Sequence, residues 1–364
     1  MSMLQGQAHP ASRVMGIQWG RALAAIAVAV AHAISHPSAS APGASHLVGR
    51  VGVALFFVIS GYIMVVTTSQ GSFSPLDFMR RRLLRIVPLY YIATAVTVAG
   101  VLIAPWAFKQ TTFDLKHLVL SLLFVPAHAP SGDINPVMKL GWTLNYEMFF
   151  YVLFALLSGL TALKRAIGLS LIFGVLIIAG LTMEFHSAAA IFYTRIDSLA
   201  FVAGVWLAVA TQGRPVVLSR QAMLTLVTFV VGVLTVILAT YDRNDTNPMI
   251  QVWIIATCVA IVGLLAFGTR PLEARMPSWA TVAGDASYAI YLFHLFAVAA
   301  VTVAVRKLLP PEFLVPGMAA AAVAGVAGGL FIYWLIDRPL DRTLRRWSKR
   351  VRPAGSLGVQ PITP

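Results

Sequence analysis

The sequence is short of cysteine and of acid. Among its 364 residues there is one cysteine, Cys258, set inside an apolar run, which excludes a disulfide within the chain and a thiolate cluster around a metal. Asp and Glu together number 13, and charged residues of every kind make up 11%, about half the share of an ordinary soluble domain. Also lacking is any polar stretch from which a soluble domain of useful size could be cut. In their place stand apolar residues, 59% of the chain against roughly 45 to 50% in a soluble domain. Together these features predict an all-α integral membrane protein. Residues 1–340 form one polytopic domain, and 341–364 form a basic cytoplasmic tail whose last residues, PAGSLGVQPITP, have a disordered composition.

Runs near the ~20 residues that span a bilayer core fall at about 17–35, 49–69, 86–107, 137–159, 166–184, 191–210, 221–240, 249–268, 284–305 and 314–336, about ten in all. A shorter stretch, 115–127, carries Lys116 and His117 and reads as an interfacial or re-entrant helix. The net charge of +14 would point to nucleic acid in a soluble protein. Mapped onto these spans it becomes topology, and no nucleic-acid partner is expected. With the N-terminus inside, nineteen Lys and Arg lie on the inner side and eight on the outer, which sets both termini in the cytoplasm. The basic tail is placed to meet anionic membrane lipid.

The first run, GRALAAIAVAVAHAISHP from Gly20 to Pro37, has two readings. A positive start and an Ala-His-Ala ending describe a cleavable secretory signal; a retained helix would instead carry ionisable groups that lipid makes costly. Orientation does not decide between them. Arg21 and His32 are eleven residues apart, which on a helix leaves them within about 20° of one face and roughly 16 Å apart in height. Such a face suits an elongated anionic donor, phosphates at Arg21 and reactive end at His32, since imidazole takes a proton from an attacking hydroxyl near neutral pH. The plainer reading makes His32 a hydrogen-bonding link between helices and Arg21 a topology signal. His36 follows His32 by four, but no third ligand lies near and no metal is expected.

Further along, LGWTLNYEMFFYVLF buries Glu147 within the fourth span. It either pairs with a histidine or arginine or orients a catalytic base, and both readings require a nearby cation. The run FMRRRLLRIVPLYY sets Arg80, Arg81, Arg82 and Arg85 at the mouth of the third span, as anchors or as a phosphate-binding cluster. Arg195 and Asp197 in YTRIDSLAFVAGVW pair with each other or meet an acceptor's polar groups. In GDASYAIYLFHLF, Ser287, Tyr291 and His294 share one polar stripe with Tyr288 beside it, a packing seam or part of a site.

Taken in order, these stretches resemble the polytopic membrane acyltransferase family 3. The resemblance rests on R-x10-H at Arg21 and His32, G-V-x-L-F-F-x-x-S-G at Gly52 to Gly61, and R-R-x-x-R-I-x-P at Arg81 to Pro88. It continues through W-[S/T]-L-x-x-E at Trp142 to Glu147, R-x-D ahead of Gly204, S-Y-x-x-Y-L-x-H at Ser287 to His294, and acidic-x-P at Asp337 to Pro339. The chain departs from the family's pattern at Ala54, where an acidic residue is usual, and at Asp337, where Glu is commoner.

The resemblance implies a retained first helix and an O-acyltransferase of the bacterial inner membrane, of the exopolysaccharide or O-antigen type. Acyl-CoA, acetyl-CoA foremost, is the implied co-substrate, with no bound cofactor. Its phosphates are expected near Arg21 and Arg80, Arg81, Arg82 and Arg85. His32 is the expected base, with Glu147 orienting it. Trp142, Arg195, Asp197, Ser287, Tyr288, Tyr291 and His294 are expected to hold the acceptor, a polysaccharide or lipid-linked oligosaccharide, or to act structurally. The rival class is a secondary transporter or flippase for a lipid-linked glycan, in which the same groups would be relays.

Overall fold

The computed structural model describes residues 15–35, 42–69, 73–108, 111–211, 216, 218–241, 247–268 and 278–350. His36, several loop cations (Arg13, Lys109, Arg214, Arg243, Arg270 and Arg275) and the tail beyond Arg350 lie outside the described residues. Among the described residues the regular structure is entirely helical: α1 (Met15–Ser35), α2 (Pro42–Thr68), α3 (Pro75–Ile103), α4 (Leu115–Leu122), α5 (Trp142–Leu156), α6 (Ala162–Thr182), α7 (Ala188–Tyr193), α8 (Leu199–Thr211), α9 (Arg220–Thr240), α10 (Pro248–Gly263), α11 (Ser278–Leu308), α12 (Leu314–Ile332) and α13 (Arg338–Arg350).

Among the described residues eight segments are long and apolar enough to cross a membrane. The remaining two expected spans, 137–159 and 191–210, correspond to shorter helices. Helix α5 has 15 residues, about 22 Å at the helical rise. It is entered through the tight turn Lys139–Gly141, and the carbonyls just past its end are taken by Arg165, whose guanidinium donates to Leu157 O, Ser158 O and Leu160 O. Between α7 and α8 the helix breaks: Thr194 Oγ1 turns back to Ala190 O at 2.7 Å, and Arg195 takes an extended backbone.

Helix α3 begins eleven residues before the expected start at 86. The cause is local. Ser74 caps it by accepting from Asp77 N at 3.4 Å, with Pro75 in the first turn, where proline's missing N–H costs nothing. The arginines from Arg80 to Arg85 are therefore helical, on successive faces of one helix. Helix α4, eight residues capped by Asp114, is too short to span. It lies against α3, with Tyr90 Oη donating to Ser121 O at 3.1 Å.

Helix α1 is the centre of the bundle. Its alanines Ala24, Ala25 and Ala29 are fully buried, and it packs between α2 and α11. Without a hydrophobic drive inside lipid, small residues that let backbones approach hold such helices together. The α2–α8 crossing is the tightest instance. A Cβ at Gly61 would stand 2.1 Å from Phe201 O, and one at Gly204 would stand 2.0 Å from Val58 O. Both glycines belong to the motifs quoted above, and each makes room for the other's helix. On the outside, Leu171, Val175, Ile178 and Leu181 of α6 and Val227, Val231 and Leu238 of α9 are exposed. Surfaces so apolar belong in lipid, and the chain is a multi-pass membrane protein.

Candidate active site

A column of polar side chains runs through the middle of the bundle, between α1, α2, α3, α5 and α11. At one end, rich in arginine and here termed the basic end, Arg85 of α3 donates to both oxygens of Asp337 at 2.9 and 3.1 Å and to Asp285 O at 3.2 Å. Its guanidinium also lies over the Tyr288 ring, 5.5 Å from the centroid, while Tyr288 Oη donates to Ile86 O at 2.7 Å. A π-turn over Tyr333–Asp337 aims the carboxylate inward from the end of α12. Such turns often sit where a helix must redirect a functional group.

One step deeper, Arg21 of α1 is surrounded by the charges of Arg85, Asp285 and Glu147. Glu147 itself accepts from Ser60 Oγ of α2 at 3.1 Å and from Tyr151 Oη one turn along its own helix. Arg21 and Glu147 thus lie within electrostatic reach of each other. A carboxylate and a guanidinium that would each be costly alone in lipid share one polar pocket.

At the far end stand two histidines. His32 Nδ1 is 2.9 Å from Val28 O and 3.3 Å from His294 Nε2, with ring centroids 5.1 Å apart. His294 is fully buried, and its Nδ1 lies 3.0 Å from Ile290 O. Carbonyl oxygens only accept, so in the neutral rings both Nδ1 atoms carry protons. His294 Nε2 then accepts from His32 Nδ1–H, and the basic lone pair of His32 is on Nε2. The described hydrogen bonds of the His32 ring run to Val28 O and His294 Nε2.

Tyr291, one turn before His294, shares a 2.7 Å hydrogen bond with Thr143 Oγ1 and donates to Leu140 O at 2.9 Å, locking α5 to α11. Ser287, a further turn down the same stripe, is fully buried and its Oγ has no hydrogen-bond partner among the described residues. Tyr288 faces Arg85 instead. Trp142 packs edge-on against Tyr146, 6.0 Å between centroids.

The other expected residues lie apart from the column or at its mouth. Arg80 stacks on Trp347 of α13 at 5.6 Å, and Arg82 lies over Phe78 and Tyr151 at 5.5 and 5.7 Å. Among the described residues Arg80 Nη2 and Arg82 Nε are buried with no hydrogen-bond partner, while Arg81 is exposed. Arg195 pairs with Asp197 at 3.4 Å. That pair belongs to a separate knot in which Gln251 donates to Asp197 at 3.2 Å and accepts from Arg50 at 2.6 and 3.1 Å. Ser60, Tyr151, Thr143 and Asp337 had no assigned role in the sequence. Tyr151 was within reach as the i+4 neighbour of Glu147; Ser60 and Asp337 come from remote segments. Among the described residues no three His, Cys, Asp or Glu side chains are grouped to hold a metal ion.

The site is thus a histidine pair, one ring buried and one partly buried, in line with an arginine and a carboxylate inside a multi-pass helical bundle. The family described as "Acyltransferase domain" matches residues 15–338, and the chain belongs to that acyltransferase family. It is 36% identical over 335 residues to the "Exopolysaccharide production protein ExoZ" of Rhizobium meliloti (strain 1021), covering 88% of this chain and 98% of that one. It is also 30% identical over 128 residues to the "Putative membrane-bound transacylase BcsY" of Komagataeibacter xylinus, 32% of each chain. No solved structure matches the chain.

Proposed function

We propose that the protein moves an acyl group, acetyl first among them, from acyl-CoA to a hydroxyl of an exported polysaccharide or its lipid-linked precursor. It does so in the bacterial inner membrane, with about ten spans and both termini in the cytoplasm. The charge asymmetry of the loops supports this orientation, which makes the basic end cytoplasmic and the histidine end outward. The polysaccharide reading draws on the named relative that shares nearly the whole chain.

The observation that carries the reading is the His32–His294 contact on the same face of α1 as Arg21. Acyl-CoA enters at the basic end, where Arg21, Arg80 and Arg82 offer guanidinium forks to its phosphates. Arg85, already held by Asp337, shapes the mouth rather than binding phosphate. The thioester reaches the histidines. His32 Nε2 takes the proton from the acceptor hydroxyl, and the oxygen attacks the thioester carbonyl carbon. The carbon–sulfur bond then breaks, and the imidazolium returns the proton to the departing thiolate. The products are an oxygen ester and free CoA thiol. His294 keeps the proton of His32 on Nδ1 throughout, and Glu147, held by Ser60 and Tyr151, balances Arg21.

Ester analysis of the surface polysaccharide from cells with and without the protein tests the reading. Loss of an ester-linked acyl group from cells lacking it is expected; unchanged ester content, or glycan export lost with esters intact, contradicts it and favours transport.

A further inference from the structure

Helix α13 carries a feature that the chemistry at His32 does not use. It runs back along α3 from the Arg85–Asp337 pair, and its Leu340 and Leu344 line one seam with Leu84 and Pro88. Trp347 follows Leu344 by three residues and so continues the same face, but there the covering stops, and the residue is 55% exposed. A charge meets it instead. Arg80 of α3 lies over the indole, its guanidinium carbon 5.6 Å from the ring centroid, and Arg80 Nη2 is buried without a hydrogen-bond partner among the described residues.

An indole backed on one face by a guanidinium and otherwise exposed is a platform for a second flat group. The charge around it is of one sign. Arg342 and Arg346 are exposed, and the one acid of this helix, Asp341, is taken by Arg345 at 2.7 Å. Trp347 lies ten residues beyond Asp337, roughly 15 Å along the helix from the mouth of the polar column. The platform is therefore basic, aromatic and in line with the column without belonging to it.

We propose that Trp347 stacks the adenine ring of the acyl-CoA donor, with Arg80 and Arg346 on the phosphates attached to that nucleoside. The proposal rests on the reading of the protein as an acyl-CoA-dependent transferase. The donor's nucleotide end combines what this place can hold: a flat base for the indole and anionic oxygens for the guanidinium groups, at the far end of an arm whose thioester enters the column. A phosphate oxygen supplies the acceptor that Arg80 Nη2 lacks. A lipid headgroup shares the phosphate but has no ring to stack, and it would use Trp347 only as an apolar anchor. The two occupants thus differ in whether the aromatic face matters.

The test uses the full chain in phosphatidylcholine nanodiscs with de-esterified polysaccharide as acceptor and two donors. One is acetyl-CoA; the other is acetyl-4′-phosphopantetheine, which keeps the thioester arm and one phosphate but has no adenosine. Trp347→Leu keeps an apolar side chain and removes the aromatic face, whereas Trp347→Phe keeps both. KM for acetyl-CoA is expected to rise about tenfold in Trp347→Leu, the loss of one stacked base, and to stay near the wild-type value in Trp347→Phe. KM for the truncated donor is expected to be the same in all three proteins. Equal acetyl-CoA KM in wild type and Trp347→Leu overturns the proposal. A rise of the same size for both donors overturns it too, as an effect on the fold of the basic end, and a penalty that appears only when phosphatidylglycerol is added to the nanodiscs overturns it in favour of a lipid anchor. Absence of transfer from either donor by the wild-type protein removes the acyltransferase reading and the proposal with it.

Discussion

Arg165 and Arg21 both lie within the bundle, yet their surroundings differ. Arg165 donates to three carbonyls and to Thr68 Oγ1 and is sandwiched between Phe73 and Phe154, each 4.7 Å away. Four of its five N–H groups are thus taken within the protein. Arg21 has charges around it but no hydrogen bond fixing its guanidinium among the described residues. Arg85 follows Arg165, closed by Asp337; Arg80 and Arg82, each with a buried nitrogen lacking a partner, follow Arg21. Arginines in lipid thus separate by what already occupies them, and only the unfilled ones are open to a ligand's phosphates.

The contrast breaks first at Arg85. Arg85→Ala leaves Asp337 buried and uncompensated, at a cost of about 3 to 5 kcal/mol, so the yield of monodisperse protein in detergent should collapse. Arg85→Met combined with Asp337→Leu should restore it, since an apolar pair can replace a buried ion pair. Recovery of neither yield nor activity in the double variant would mean that Arg85 does more than close the mouth.

Arg21→Lys, which keeps a positive charge near Glu147, should leave folding intact and raise KM for acetyl-CoA by about tenfold, since the ammonium lacks the guanidinium fork. With acetyl-pantetheine, which has no nucleotide phosphates, wild type and variant should converge. A penalty that persists with the truncated donor would place Arg21 elsewhere in the mechanism.

His294 sharpens the comparison from the other end. His294→Gln retains an acceptor for His32 Nδ1–H through its side-chain oxygen, whereas His294→Phe does not. Turnover should fall about tenfold more in the second, one hydrogen bond's worth, with KM for acetyl-CoA unmoved in both. Equal turnover in the two would show that His294 serves packing alone. The smallest effect is expected at the remote knot: Arg195→Ala removes an exposed arginine 3.4 Å from Asp197, a contact worth about 0 to 1 kcal/mol, while Gln251 still donates to Asp197, and initial rates should stay near those of the wild type.

What the sequence made legible follows from distance along the chain. The shared face of Arg21 and His32 came from helical geometry alone, as did the stripe of Ser287, Tyr291 and His294. The pairing of Arg195 with Asp197, two residues apart, was equally local. By contrast, Arg85 meets Asp337 across 252 positions, Glu147 meets Ser60 across 87, and His32 meets His294 across 262. No periodicity encodes such contacts, so the sequence left Glu147 between pairing with a histidine or arginine and orienting the base. The early start of α3 was readable from Ser74 and Pro75, a capping pair hidden by hydropathy because the arginines that follow depress the apolar signal. The shortness of α5 depends on Arg165 reaching back to carbonyls that composition does not reveal.

The most direct test of His32 as the base is the initial rate at which purified protein in nanodiscs moves radiolabelled acetyl from acetyl-CoA onto de-esterified polysaccharide. His32→Gln should lose about a hundredfold to ten-thousandfold of that rate, the contribution of a positioned general base, while binding acetyl-CoA as wild type does. Label arriving on the glycan at an undiminished rate would contradict the account.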